Sequence, residues 1–308
     1  MAVGDTITAA RFNQLQARVA TILGKGAGNE GYGQAVTSSQ VSANTTIEAE
    51  HMSDLFEDMK RCRVHQTGSI PAEIADIDIG NLIEDSNTTS KKGVAQYEGL
   101  SLDVVNDRLN IAAGQASVEA GVESFTDTDW NGTIYQEATV TFQAYNVTNG
   151  DGSTTNITAQ DHRRAFFNAG GEILFSAELA SGNTPINNDW RNLLSSVGTV
   201  RFSYTRTTNG TEGTLIGHED LTTSYQTIFT KTASSYAQND FTVQAKEDAN
   251  DGPVLRFRIY FNDDKGPNPN FDEAVTPRTT STVSVNRPSN TASVDVNKPV
   301  FATTRNLG

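Results

Sequence analysis

The sequence predicts an α+β protein: an N-terminal helical pair with an extended connector, then a C-terminal β-sandwich-like domain carrying short helices. Three observations lead there. Apolar residues recur at helical spacing twice within residues 1–66, the second time forty positions after the first. From residue 121 onward, apolar and polar residues alternate with the two-residue period of half-buried strands. Only 19% of the 308 residues are charged. About a third are Ser, Thr, Asn or Gln, a composition that excludes a heptad rod and suits a turn-rich fold. The expected divisions are 1–66, 67–120 and 121–308.

The first helix opens at Thr6-Ile7-Thr8-Ala9, where Thr6 or Thr8 can cap it. Phe12, Leu15, Val19, Ile22 and Leu23 form its apolar stripe, and Gly24 can end it. Residues 24–33, GKGAGNEGYG, read as a flexible glycine-rich connector. Thr46-Ile47-Glu48-Ala49 then repeats the opening, and Met52, Leu55, Phe56, Met59 and Cys62 repeat the stripe until Thr67-Gly68-Ser69-Ile70-Pro71 stops it. Two small amphipathic helices bury little alone, so a helix pair or a subunit contact is expected to cover them. Phe12, Leu15, Val19, Met52, Leu55 and Met59 are the interface candidates.

Within 67–120, Ile77 and Ile79 alternate with Asp76, Asp78 and Gly80, as a short strand or extended arm would. Residues 94–117 are weakly patterned, and a span this long suggests an arm lying across another subunit. Beyond 121, Val140, Phe142 and Ala144 mark one strand. Thr158-Ala159-Gln160-Asp161 resembles a capping box for a helix through Phe167. Ile173, Phe175, Ala177 and Leu179 mark a strand, and Ile186, Trp190, Leu193, Leu194 and Val197 a helix closed by Gly198. Val200, Phe202 and Tyr204, then Phe241, Val243 and Ala245, then Leu255, Phe257, Ile259 and Phe261, and finally Val283 and Val285 complete the strands.

Charge and motifs narrow the chemistry. A net charge of −14 gives no positive footprint for nucleic acid. No window approaches 18 consecutive apolar residues, so no membrane partner is expected, and Met-Ala-Val-Gly-Asp opens without a leader pattern. Cys62 stands alone and reads as a small buried apolar group. The glycine loop follows a helix and lacks the Gly-Lys-Ser/Thr ending of a phosphate-binding loop. His51, Asp54, Asp58 and His65 are metal-ligand types, but 14 helical positions span about 21 Å, too far for one ion. Glu247-Asp248 with Asp251, Asp263-Asp264 and Asp272-Glu273 are acidic loops without calcium-loop spacing. Gly-x-Ser-x-Gly, His-Glu-x-x-His and Cys-x-x-Cys do not occur, so no catalytic residue, cofactor or metal is assigned. His162, beside Arg163 and Arg164, reads as a brace for a loop or interface.

Two stretches carry a resemblance. TITAARFNQLQARVATILG with the later MKRCRVHQTG resembles the N-terminal region of structural proteins from tailed bacteriophages, especially those of marine cyanobacteria. DHRRAFFNAGGEILFSAELASG, followed by the Trp190 helix, resembles a module of such virion proteins. The resemblance implies a non-enzymatic homo-oligomeric role in the tail, neck or fibre of a virion assembled in the host cytoplasm. The partners it implies are other copies of the chain and other virion proteins. One alternative is a receptor- or glycan-binding fibre module, with a host surface glycan as partner and Trp130, Tyr135, Tyr225 and Tyr236 as its aromatics. The other alternative is a polysaccharide-degrading virion enzyme, for which only the many carboxylates argue.

Overall fold

The computed structural model describes residues 7–72, 74–235, 237–264 and 273–307. The chain is α+β, with mostly antiparallel sheets. It divides into two compact units, and it passes between them five times along the sequence. Unit 1 comprises Met1–Ser117, Ala144–Gly170 and Pro288–Asn297; unit 2 comprises Val118–Gln143, Gly171–Arg287 and Lys298–Gly308. The division expected at 120/121 is therefore corrected: unit 1 needs two later segments to be whole.

Unit 1 is built on three helices: α1 (Ala9–Leu23), α2 (Ala49–Thr67) and α3 (Val94–Asn106). The forty-position repeat is real in the backbone, since α1 begins at Ala9 and α2 at Ala49. The Thr8 hydroxyl accepts from Arg11 N at 3.2 Å, and Thr6 lies outside the described residues. Gly68, at φ +85°, closes α2 in the left-handed conformation that glycine adopts without a Cβ clash. The third helix was not expected. Val94, Tyr97, Leu100, Ser101 and Val104 are its buried stripe, at spacings of three and four. Its N-cap is Gly93 without a side-chain cap, so the usual start signal is missing from the sequence. Around Ile77 and Ile79 no strand forms: Ile77 is fully buried and Ile79 is 91% exposed.

The helical stripes close on one another within the unit. Phe12, Leu15, Val19, Met52, Leu55 and Met59 are each at most 1% exposed, in one cluster with Tyr97 and Leu100 of α3. Each such side chain contributes about 1.5–3 kcal/mol of burial. The subunit-contact alternative for these six residues is thereby overturned, because α3 supplies the missing wall.

Two further pieces complete unit 1. The hairpin β3 (Tyr145–Thr148) and β4 (Thr154–Ile157) precedes α4 (Ala159–Asn168). Thr158 and Asp161 form the expected capping box of α4. Gln34 clamps both backbone groups of Asp295, at 3.1 Å each, which fixes the segment 288–297.

Unit 2 holds two sheets. A six-stranded sheet runs in the order β1 (Ala116–Phe125), β12 (Thr279–Pro288), β5 (Glu172–Leu179), β6 (Val200–Phe202), β7 (Thr207–Thr208), β8 (Gly213–Thr214). A five-stranded sheet runs β13 (Val300–Arg305), β2 (Gly132–Thr141), β11 (Val254–Asp263), β10 (Asp240–Glu247), β9 (Gln226–Thr232). Their inner faces meet at Phe257, whose ring lies 5.0 Å from Phe175 and 5.4 Å from Phe202. Helix α5 (Pro185–Val197) buries Trp190 against Trp130 at 5.2 Å and Phe261 at 6.1 Å. The strand expected through Ala144 ends at Thr141; Phe142 is still buried but Ala144 is exposed, where the chain leaves unit 2.

Candidate functional site

The clearest gathering of chemistry is the open face of the five-stranded sheet. It follows from strand alternation. Leu255, Phe257, Ile259 and Phe261 of β11 are fully buried on the inner face, so Arg256, Arg258 and Tyr260 project to the other. Antiparallel pairing then sets their neighbours. On β2, Thr139 stands opposite Arg256, Glu137 opposite Arg258 and Tyr135 opposite Tyr260. On β10, Lys246 stands opposite Arg256. A register shift between Thr303 and Arg305 of β13 pairs Arg305 with Glu137.

The side chains interlock. Glu137 accepts from Arg258 Nε at 2.7 Å, from the Tyr225 hydroxyl at 3.1 Å and from the Thr304 hydroxyl at 3.0 Å. Arg256 bonds Asp248 at 2.6 Å and lies 3.7 Å from Glu137. The Arg258 guanidinium stacks over the Tyr225 ring at 4.0 Å and lies 5.7 Å from the Tyr135 centroid. Arg305 covers Tyr135 at 4.3 Å, and the Tyr135 and Tyr260 rings are 5.0 Å apart.

The electrostatics fix protonation. Partial burial pushes Glu137 up, but hydrogen bonds from Arg258, Thr304 and Tyr225 outweigh it and hold the carboxyl below the ordinary range. Burial, followed by the charge of Glu137, raises the Tyr225 phenol. The carboxylate is thus an ionised acceptor already filled, which suits it to holding arginines and not to donating a proton.

The residues singled out in the sequence are distributed as follows. Tyr135 and Tyr225 belong to this face. Trp130 does not: it is 6% exposed and its Nε1 donates to Thr279 Oγ1 at 2.9 Å, so it is core. Tyr236 and Asp272 lie outside the described residues. The helical polar edge is dispersed: Glu48 N donates to His51 Nδ1 at 3.0 Å, Asp58 binds Thr37 and Ser38, and His65 Nε2 donates to the Ala169 carbonyl at 3.0 Å. His162 Nε2 sits 2.8 Å from the Asn297 carbonyl. Glu247 and Asp263 are buried at 4% and 3% exposure, while Asp248 is engaged by Arg256. Among the described residues no three His, Cys, Asp or Glu side chains gather as a metal site, and no helix is long and apolar enough to cross a membrane.

The glycine-rich loop is not a slack connector. Tyr32 N donates to Ile22 O at 2.7 Å, and the fully buried Tyr32 hydroxyl donates to Arg108 O at 2.6 Å. Its carbonyls are taken by cations, with Arg164 on Lys25 O and Gly28 O. A loop that points carbonyls at guanidinium is the reverse of a phosphate cradle. A groove of about 500 Å³ borders it, lined by Gln16, Ala20, Gly26, Ser39, Asn149 and Asp151 among others.

Arg256, Arg258, Tyr260, Glu137 and Arg305 were not picked out from the sequence. The alternation placing the first three on one face was legible. Their meeting with Glu137 and Arg305 depends on register, which one strand's sequence does not carry. No family model, no curated protein and no solved structure matches the chain.

Proposed function

We propose that the chain is a non-enzymatic structural component of a tailed-phage virion, in the tail, neck or fibre region. One observation supports this best: the chain passes between its two units five times. Each unit is therefore assembled from three separate segments of the chain and cannot be released as an independent piece, which suits a permanent part of an assembly. The buried charges support it too. Asp58, Arg63 and Asp161 are each spent on holding loops or helix ends, as in a scaffold.

Assembly through Phe12, Leu15, Val19, Met52, Leu55 and Met59 is not part of this reading, since the chain seals them itself. Self-association or binding to other virion proteins would use exposed apolar groups instead, chiefly Ile79 at 91%, Leu215 at 85%, Val118 at 65% and Leu82 at 63% exposure. The test is mass spectrometry of gradient-purified particles of the phage that encodes the chain. The expected result is its presence at a fixed copy number per particle. Abundance in infected cells with absence from particles would reject the reading.

A further inference from the structure

We propose that the open face of the five-stranded sheet, around Tyr135, binds a carboxylated polysaccharide of the uronate or sialate type. The argument rests on charge first. Four cations lie on this face, Lys246, Arg256, Arg258 and Arg305, against three carboxylates, Glu137, Asp248 and Asp240, of which none pairs with Arg305. The face is therefore net positive on a chain whose net charge is −14, so its charge opposes that of the molecule as a whole. Arg305 is exposed and stacked on Tyr135, and no carboxylate lies within ion-pair reach of it among the described residues. The Tyr135 hydroxyl also has no hydrogen-bond partner among the described residues.

Geometry gives the second line. Two guanidiniums, of Arg305 and Arg258, lie within 6 Å of one tyrosine ring. Arg258 spends its Nε on Glu137, whereas Arg305 stacks on the ring with its N–H edge left as a fork for a carboxylate. The Tyr260 ring beside them offers an aromatic surface to a sugar's C–H face. Around these lie neutral hydroxyls, among them Thr304 and Thr139.

The alternation of neutral and cationic groups selects the occupant. A duplex presents a charge about every 1.7 Å, and so dense a polyanion would be repelled by the rest of this acidic chain. An acidic polysaccharide carries one carboxylate per sugar or two, with hydroxyls between, which suits a face with one unpaired guanidinium, Arg305, among neutral hydroxyls and tyrosine rings.

The test uses the full chain, titrated by calorimetry with alginate oligosaccharides and with polysialic acid. We expect micromolar binding to at least one of them, weakening several-fold between 50 and 300 mM salt, an interval chosen around ordinary ionic strength. Carboxyl-reduced alginate should not bind. Arg305→Gln should weaken binding about tenfold, one lost charge-assisted contact, with an unchanged melting temperature. Tyr135→Ser should weaken it similarly. Arg206→Gln, in the turn between β6 and β7 of the other sheet, should leave it unchanged. No binding of either polymer, equal binding of the neutral polymer, insensitivity to Arg305→Gln, or tighter binding of poly(dT) would each overturn the proposal.

Discussion

At the scale of single residues, Gly33 and His65 show how little freedom unit 1 allows. Gly33 sits at φ +67°, and a Cβ there would lie 2.5 Å from the Tyr145 hydroxyl, which itself donates to Gly33 O at 3.1 Å. Gly33→Ala should cost about 1–3 kcal/mol, read as a lower urea midpoint, because strain and clash add. His65 is fully buried, and its contact with the Ala169 carbonyl requires a proton on Nε2. Burial lowers its pKa from 6.5 to about 4, against a smaller opposite effect of that carbonyl. The unfolded chain then binds the proton first, so stability is full above pH 6.5 and falls as pH drops toward 4. The loss should approach about 3 kcal/mol. Melting curves at pH 7 and 4.5 measure it, and His65→Gln should flatten the difference.

At the scale of elements, side chains of α1 and α2 stand in for a missing strand along the 24–48 loop. Asn13 bonds both backbone groups of Val41, at 2.9 and 2.8 Å, as a neighbouring strand would. Asp58 accepts Ser38 N at 2.8 Å, Ser38 Oγ at 2.7 Å and Thr37 N at 2.9 Å. Asp58→Ala should cost about 2–4 kcal/mol, because several donors lose one buried partner together. Amide exchange at residues 35–41 should rise more than elsewhere. Helix α3 offers the opposite case. Nothing lies near a Cβ placed on Gly99, so Gly99→Ala should stabilise by about 0.5–1 kcal/mol, measured in urea. Legibility followed the same division. Helices α1, α2, α4 and α5 announced themselves through stripes and caps, as did β5, β10 and β11 through alternation. Helix α3 did not, since its start is an uncapped Gly93 and Gly99 interrupts its pattern. The edge strands β1 and β13 did not either: β1 buries one residue of ten, and β13 buries none. The binding face was half visible, as strand polarity without its cross-strand partners.

At the scale of the whole molecule, interleaving decides how the chain can be cut. A fragment 121–308 would carry Ala144–Gly170 and Pro288–Asn297 without the rest of unit 1. Phe166, Phe167, Val294 and Val296, all fully buried in the intact chain, would then lose the packing of residues 1–117. This fragment should bind a hydrophobic dye and elute as aggregates in size exclusion, whereas the full chain should not. A monodisperse, dye-silent fragment would show that the later segments refold without their partners.

The same threading sets a timetable for synthesis. Unit 1 lacks its final piece until Asn297 has emerged from the ribosome, and unit 2 lacks its edge strand until Arg305 has. Neither core can close before those residues are free of the ribosome. A ribosome that stops before Pro288 therefore leaves both halves open together, and proteases meet a wholly unfinished chain in place of one sound domain with a ragged tail.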